Sequence, residues 1–333
     1  MLSRHFVLAS RPTGAPTAAN FELRTVEIDR LEPGHVMIRN EYLSVDPYMR
    51  PRMDDRPSYV PPFTLGDPLD GGAVGRVIRS ADPERPVGSL VRHMRGWRDV
   101  AVLPGRVTDL LPETGLPLSY HLGILGMPGL TAYAGLTEVA PVREGDTLFV
   151  SGAAGAVGGM AGQFGRQLGA SRVIGSAGSD EKVAFVTDVL GFDACFNYRT
   201  GPVRDLLAAA APDGVDLYFD NVGGDHLAAA IEAMRMNGRI AMCGIIADYD
   251  TPPPERTLTA DLFQIIGRRV NVRGFISTDH VHLRPEFLET ATTWLREERI
   301  NYRETITDGL ENTPTAFMEM LRGGNVGKAV VRL

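Results

Sequence analysis

Leu148-Phe149-Val150-Ser151-Gly152-Ala153-Ala154-Gly155-Ala156-Val157-Gly158 is the stretch on which the reading of this chain turns. An apolar run ends in glycine and alanine, and beyond it Val157, Met160, Ala161, Phe164 and Leu168 recur at the spacing of a helix face. The pattern predicts a buried strand that delivers its carboxyl end to a helix N-terminus. Such an end offers unpaired N–H groups and the positive pole of the helix dipole, and glycines let a pyrophosphate approach the backbone. A dinucleotide site is expected, with Gly155, Ala156, Val157 and Gly158 in its phosphate turn. The word reads G-x-x-G-x-x-G rather than G-x-G-x-x-G, and a turn of this composition also serves close strand–helix packing.

Downstream the sequence alternates. Strands are expected near 171–176, 194–198, 215–219, 239–243 and 270–276, separated by helices near 180–190, 203–210, 225–236 and before Gly267. With the strand at 148–150 this makes six, and strand–helix alternation implies right-handed crossovers and a parallel sheet covered on both faces. A doubly wound α/β domain follows. The first 120 residues differ: short β runs at 21–28, 35–43 and 72–78 are broken by Val60-Pro61-Pro62 and Asp82-Pro83, with little helical periodicity. A separate, mostly β domain is expected there. Residues 302–306, 313–321 and 327–333 read strand, helix, strand and fit either module.

Composition narrows the function. The chain has 333 residues, enough for two cores, with 44% hydrophobic residues and a mean hydropathy of -0.06, the profile of a soluble globular protein. No run of about 18 apolar residues and no cationic start before an apolar stretch points to membrane or export, so a cytoplasmic location is expected. A formal charge of -7 argues against a nucleic-acid partner, which a basic surface would serve. Cys195 and Cys243 fall at a strand start and a strand end, where buried thiols are expected rather than a disulfide or metal pair.

Six words occur in order along the chain: Leu43-Ser44-Val45-Asp46-Pro47-Tyr48-Met49-Arg50, the glycine turn through Gly158, Gly178-Ser179-Asp180-Glu181-Lys182, Phe196-Asn197-Tyr198, Asp220-Asn221-Val222-Gly223-Gly224, and Gly323-Gly324-Asn325-Val326-Gly327-Lys328. Together they resemble the zinc-independent medium-chain dehydrogenase/reductases, in the branch of prostaglandin reductases (leukotriene B4 12-hydroxydehydrogenase), curcumin reductase and alkenal double-bond reductases. The resemblance implies a GroES-like substrate domain over 1–122, to which 300–333 returns, and a Rossmann NADP-binding domain over 123–299. It further implies subunits pairing edge to edge through 270–276, hence a homodimer.

Where metal-dependent members carry a cysteine ligand, this chain resembles them with Ser44-Val45-Asp46 instead. In place of a Gly-His-Glu word it has Gly66-Asp67-Pro68. A catalytic zinc takes three protein ligands, and these are absent, so no metal is expected. His280 and His282, one residue apart in a polar loop, are read as solvated rather than as ligands.

The second strand ends Gly175-Ser176-Ala177-Gly178-Ser179, with no acid at its tip to hold ribose hydroxyls and repel a 2′-phosphate. NADPH is therefore the expected cofactor. Ser179 is the expected N-cap, which puts Asp180 and Glu181 in a first helical turn that favours acids, whereas Lys182 runs against the dipole unless an anion compensates it. Among 34 Lys plus Arg, lysine stands only at Lys182 and Lys328, and chance placement is the alternative explanation. The resemblance implies that Lys182 and Tyr198 serve the 2′-phosphate and adenosine side and Asn221 the ribose, while Ser176 and Ser179, small hydroxyl residues at the strand tip, are further cofactor-binding candidates. It places Cys243, Gly244, Ile245 and Phe275 toward the rest of the cofactor, the stretch from Cys243 to Tyr249 on its nicotinamide side, and Asn325 on it from the C-terminal segment.

Two tyrosines are the candidates for chemistry. Tyr249 follows the fifth strand's carboxyl end, where doubly wound sheets place ligands, and a phenol can donate to an oxygen gaining charge. Its alternative role is to pack on Pro252-Pro253-Pro254, and that of Tyr48 is to anchor the Pro47 corner. No G-x-S-x-G word suggests covalent catalysis. The expected activity is an NADPH-dependent ene-reductase acting on α,β-unsaturated ketones or aldehydes. A quinone reductase on the same scaffold and a silent cofactor-binding protein are the alternatives.

Overall fold

Proline and glycine break the first 122 residues into short strands that pair antiparallel, as the β runs predict. In the computed structural model β1 (Leu2–Leu8) and β2 (Phe21–Glu27) form a ribbon. Then β3 (His35–Ser44), β4 (Ala73–Ser80), β5 (Leu90–His93), β6 (Val100–Pro104) and β7 (Asp109–Leu110) build a sheet around β3. The structure describes residues 1–28, 30–113, 115–252 and 255–333. They divide into two units, Met1–Leu122 with Glu304–Leu333, and Gly123–Arg303.

The second unit opens with helix α1 (Met127–Ala134) and then alternates. Its strands are β8 (Thr147–Val150), β9 (Arg172–Ala177), β10 (Ala194–Asn197), β11 (Val215–Asp220), β12 (Met234–Met242) and β13 (Asn271–Gly274). Between them run α2 (Ala156–Gln167), α3 (Asp180–Ala184), α4 (Val203–Ala210), α5 (Gly224–Ala233) and α6 (Phe263–Arg268), and α7 (Arg284–Arg296) follows. All six strands are parallel, in the order β10-β9-β8-β11-β12-β13. Strand order reverses between β8 and β11, the place where open α/β sheets form their ligand crevice.

Glycine spacing on α2 explains how the helix lies so close to that sheet. A Cβ would stand 2.3 Å from the Gly152 carbonyl oxygen at Gly158, 1.8 Å from the Phe192 ring at Gly162 and 2.3 Å from a Leu148 methyl at Gly165. Tight packing thus accounts for part of the glycine pattern, leaving Gly152 and Gly155 for the turn itself. The chain departs from expectation after α5. Residues 234–236 belong to β12 rather than to the helix, because Met234 pairs with Val215 and the register slips before Arg239 meets Leu217. Asn237 absorbs the irregularity with φ of 61°.

The last thirty residues complete the first unit. β14 (Glu304–Asp308), α8 (Thr313–Leu321) and β15 (Lys328–Arg332) follow, with β15 antiparallel to β3 and β14 parallel to β15. From α8, Phe317 enters the core around Trp97, which stacks on Phe21 at 5.5 Å and meets Phe317 edge-on at 5.7 Å. Residues 300–303 stay with the second unit, where Asn301 exchanges hydrogen bonds with Gln163. No helix among the described residues is long and apolar enough to cross a membrane.

Buried histidines give this fold an acid limit. His93 accepts from the Arg95 N–H at 3.0 Å and holds Asn40 through its other nitrogen at 3.0 Å. Burial, reinforced by Arg98 and Arg95, lowers it to about 3. His226 is lowered by burial to about 4. Both sit below the ordinary value of 6.5, so the unfolded chain takes up protons first as pH falls. The stability from these two groups is full above 6.5 and is lost as pH drops through the folded values. We expect Tm to fall between about pH 6.5 and 4.5, and to fall less in His226→Phe than in the parent, measured by calorimetry. Parallel curves for the two proteins would contradict the assignment to His226.

Candidate functional site

Thirteen of the residues singled out above from the second unit follow the carboxyl ends of its strands, at one edge of the sheet. The structure joins them through one side chain. Asp220, fully buried at the end of β11, accepts at Oδ1 from the Tyr218 hydroxyl (2.6 Å), the Ser151 hydroxyl (3.2 Å), and the N–H groups of Val222 (2.9 Å) and Gly223 (2.8 Å). Ser151 begins the glycine turn after β8 and accepts in return from the Asn221 N–H at 2.9 Å, while the Asn221 amide donates to the Ser151 carbonyl at 2.8 Å. Asn221 therefore ties together the two strand ends that flank the reversal. Burial pushes the Asp220 carboxyl up against the pull of its donors.

The glycine turn is held from its other side as well. Ala153 N–H donates to the Ser176 carbonyl at 2.9 Å, and Gly155 is the residue that precedes α2. Gly152 has φ of 62°, a region that favours glycine. No side chain caps α2, so Ala156, Val157 and Gly158 supply first-turn N–H groups of the kind that bind anions.

At the end of β9, Ser179 accepts from the Lys182 N–H at 3.3 Å, the cap that its position predicts. Asp180 accepts from the Asn197 amide at 2.8 Å, so this acid bridges to β10. Tyr198 overhangs the strand tip, and a Cβ at Gly178 would stand 2.8 Å from its hydroxyl. A larger residue at that tip would displace the phenol. The Tyr198 ring meets His226 edge-on at 5.2 Å. Burial, and then the charge of Arg199, lowers the Lys182 ammonium, with Glu181 opposing. The Arg199 guanidinium carbon lies 5.9 Å from the Tyr198 ring centroid. Arg199 thus stands beside the phenol, and its charge reaches Lys182. Sequence reading missed Arg199, whose only signal is its place after Tyr198 in a chain full of arginines.

The segment after β12 is laid along the end of β11. Cys243 and Gly244 N–H groups both donate to the Asp220 carbonyl, at 2.8 and 3.1 Å, and Ala247 donates to that of Val222 at 3.1 Å. Gly223, with φ of 73°, leaves room for Ile245, which a Cβ there would meet at 2.9 Å. Tyr249 is half-buried just after a short turn (Ile246–Asp248). A Cβ at Gly244 would stand 3.5 Å from its hydroxyl. Pro253 and Pro254, on which Tyr249 was a candidate to pack, lie outside the described residues. Both cysteines are free, and burial pushes each thiol up to about 12, far from a thiolate nucleophile.

Phe275, after β13, lies edge-on to Phe219 at 6.2 Å and to His280 at 5.9 Å. Here the histidine reading needs correction. His280 is buried, and Glu138 bridges it at 2.6 Å and the exposed His282 at 2.8 Å. The loop is folded back by a carboxylate rather than left in solvent. Among the described residues no group of three or more His, Cys, Asp or Glu is arranged to hold a metal ion.

Tyr48 and Asn325 belong to the first unit. The Tyr48 hydroxyl is buried with no hydrogen-bond partner, and burial, followed by the charge of Asp46, pushes it well above the usual phenol value. Asn325 donates to the Gly327 carbonyl at 2.6 Å and braces the turn into β15.

Residues 4–110 match the family described as the N-terminal domain of oxidoreductase, and residues 156–295 match that described as zinc-binding dehydrogenase. The chain is 41% identical to the NADPH-dependent curcumin reductase of Escherichia coli (strain K12), over 99% of this chain and 97% of that protein. It is 41% identical to the 2-alkenal reductase (NADP(+)-dependent) of Nicotiana tabacum over the same shares, 99% and 97%. The crystal structure of CurA in complex with NADPH from Vibrio vulnificus superposes with a TM-score of 0.93 at 42% identity, covering 99% of this chain and 98% of that one. The chain belongs to the medium-chain dehydrogenase/reductases, in the zinc-independent branch of curcumin reductase, the alkenal reductases and the prostaglandin reductases.

Proposed function

We propose that this protein is an NADPH-dependent reductase of the carbon–carbon double bond in α,β-unsaturated ketones and aldehydes. One observation carries the reading: a single sheet edge gathers a glycine-lined helix N-terminus, Lys182, Arg199 beside Tyr198, and the Tyr249 phenol. The end-to-end likeness to reductases named for curcumin and 2-alkenals supports the same substrate class.

The residues present fit the cofactor. Three buried polar atoms at this edge, Ser176 Oγ, Asp220 Oδ2 and His226 Nε2, lack partners within the protein, and such atoms call for a ligand or water. The N–H groups of Gly155, Ala156, Val157 and Gly158 would hold the pyrophosphate. Lys182 and Arg199 would neutralise the 2′-phosphate, with Ser176, Ser179 and Tyr198 on the adenosine side and Asn221 at the ribose. Cys243, Gly244, Ile245 and Phe275 would line the remainder. NADPH supplies the hydride that reaches the substrate's β-carbon. The protein's own part is to orient the reactants, exclude water and meet charge as it grows on the carbonyl oxygen. Tyr249 donates to that oxygen as it becomes an enolate, the α-carbon then takes a proton from solvent to give the saturated product, and Tyr48 is the second phenol proposed for the substrate.

The first unit serves the substrate in this reading and the second the cofactor. We place the enzyme in the cytoplasm as a homodimer. β13 forms a sheet edge with Val272 39% exposed, and the preceding helix presents Phe263 and Ile266 at 69% and 73%. A two-fold partner would cover this edge and its apolar neighbours. Light scattering at micromolar concentration should give twice the chain mass, whereas a monomeric mass would remove the proposal.

Cofactor choice is tested at Lys182. Lys182→Ala should raise the NADPH KM and leave the NADH KM nearly unchanged, because a charge-assisted contact to phosphate contributes about 1.5–3 kcal/mol. Equal loss for both cofactors would mean that Lys182 supports α3 instead.

Chemistry is tested at the two phenols. Tyr249→Phe should lower kcat by at least about tenfold with NADPH binding intact, since a donor in a dry site acts mainly on developing charge. If Tyr249→Phe turns over several enones at the parent rate while Tyr48→Phe is slow, the donor is Tyr48.

A further inference from the structure

Lys328 is one of two lysines in a chain that otherwise places arginine at every basic position, and it is almost completely buried, 2% exposed. Its ammonium donates to the Val45 carbonyl at 2.8 Å, Asp46 Oδ1 at 3.0 Å and the Ala329 carbonyl at 2.8 Å. All three protons are used. Asp46 is buried too, and its second oxygen accepts from the Ser44 hydroxyl at 2.5 Å. A planar guanidinium cannot reach three acceptors spread in this way around one nitrogen, which accounts for a lysine where the rest of the sequence uses arginine.

Buried ion pairs are costly to desolvate, and well-packed apolar residues often give equal or greater stability. A role beyond stability is indicated by what the pair holds. Asp46 precedes the short turn Pro47–Met49 and closes it, its carbonyl accepting from the Met49 N–H at 3.1 Å. Tyr48 is the middle residue of that turn. Val45 before the turn and Met49 and Met53 after Tyr48 are buried, so the turn has little freedom once Asp46 is fixed.

We propose that Lys328 is a positioning residue: by locking Val45 and Asp46 from the last strand of the chain, it sets the turn that presents the unpartnered Tyr48 hydroxyl to the substrate. The inference rests on the reading above that Tyr48 is a phenol of the substrate pocket. Lys328 acts through Tyr48 and touches no reacting atom.

A double-mutant cycle tests this. Removing one charge would leave the other buried and unpaired, so the informative variant is Lys328→Met with Asp46→Asn, compared with Tyr48→Phe and with all three changes combined. The double variant should melt cooperatively and keep its NADPH affinity. Its kcat on an enone should fall by about tenfold to a hundredfold, the scale of a displaced catalytic group, with KM little changed. Adding its changes to Tyr48→Phe should cost nothing more, because both act through one hydroxyl. A merely structural role would instead give additive losses and a shift in KM, and would overturn the proposal. If Tyr48→Phe is slow but the double variant runs at the parent rate, the positioning role fails while the role of Tyr48 stands. If Tyr48→Phe itself runs at the parent rate, the reading of Tyr48 fails and Lys328 falls with it. Should the double variant not fold, Ser44→Ala loosens Asp46 more gently, and a kcat loss of about threefold that vanishes in the Tyr48→Phe background is expected. An unchanged kcat there would overturn the proposal.

Discussion

The buried carboxylate of Asp220 is the contact on which the sheet edge depends. Four donors converge on one of its oxygens, two from the side chains of Tyr218 on β11 and Ser151 just after β8 and two from the backbone of the turn that follows. Its own carbonyl receives the chain leaving β12. Three loops from β8, β11 and β12, distant in sequence, are thereby held in one arrangement. Hydrogen bonds to a carboxylate are stronger than neutral ones, and in a dry setting their loss would leave several groups unsatisfied at once. The glycine turn, Asn221 and the stretch leading to Tyr249 therefore move as a unit or not at all.

The charges near this edge follow a different logic. Burial, and then the charge of Arg199, lowers the Lys182 ammonium, a like-charge arrangement that a bound anion would relieve. Lys328 and Asp46 in the first unit are the opposite case, closed on each other with every proton assigned. The two lysines that the sequence singled out thus do unlike things. One stands in the first turn of α3 beside the β9 strand tip, and the other closes a buried ion pair.

Much of this was legible because it follows from local rules. The strand–turn–helix at 147–168, the cap at Ser179 and the alternation behind the six strands all depend on residues near one another in sequence. Arg199 was not legible, since an arginine among so many carries no mark until Lys182 is placed beside it. His280 and His282 read as a solvated pair because Glu138, which gathers them, is 142 residues away from the first. The start of β12 reads as helix in the sequence because residues 234–236 continue the composition of α5, whereas the pairing of Met234 with Val215 is a tertiary fact. The partner of Lys328 lies 282 positions upstream, and no spacing rule spans that distance.

That separation bears on how the chain assembles. The second unit is one continuous segment, Gly123–Arg303, and can complete its sheet as soon as that segment is available. The first unit cannot: its sheet lacks β14 and β15, and its aromatic core lacks Phe317, until the final residues of the chain are present. During synthesis from the N-terminus, residues made first therefore wait longest for their partners, with Asp46 and the apolar faces of β3 held open meanwhile. A chain that lacks β15 would carry a completed second unit joined to an unfinished first one, in which β3 has an unpaired edge open to other strands.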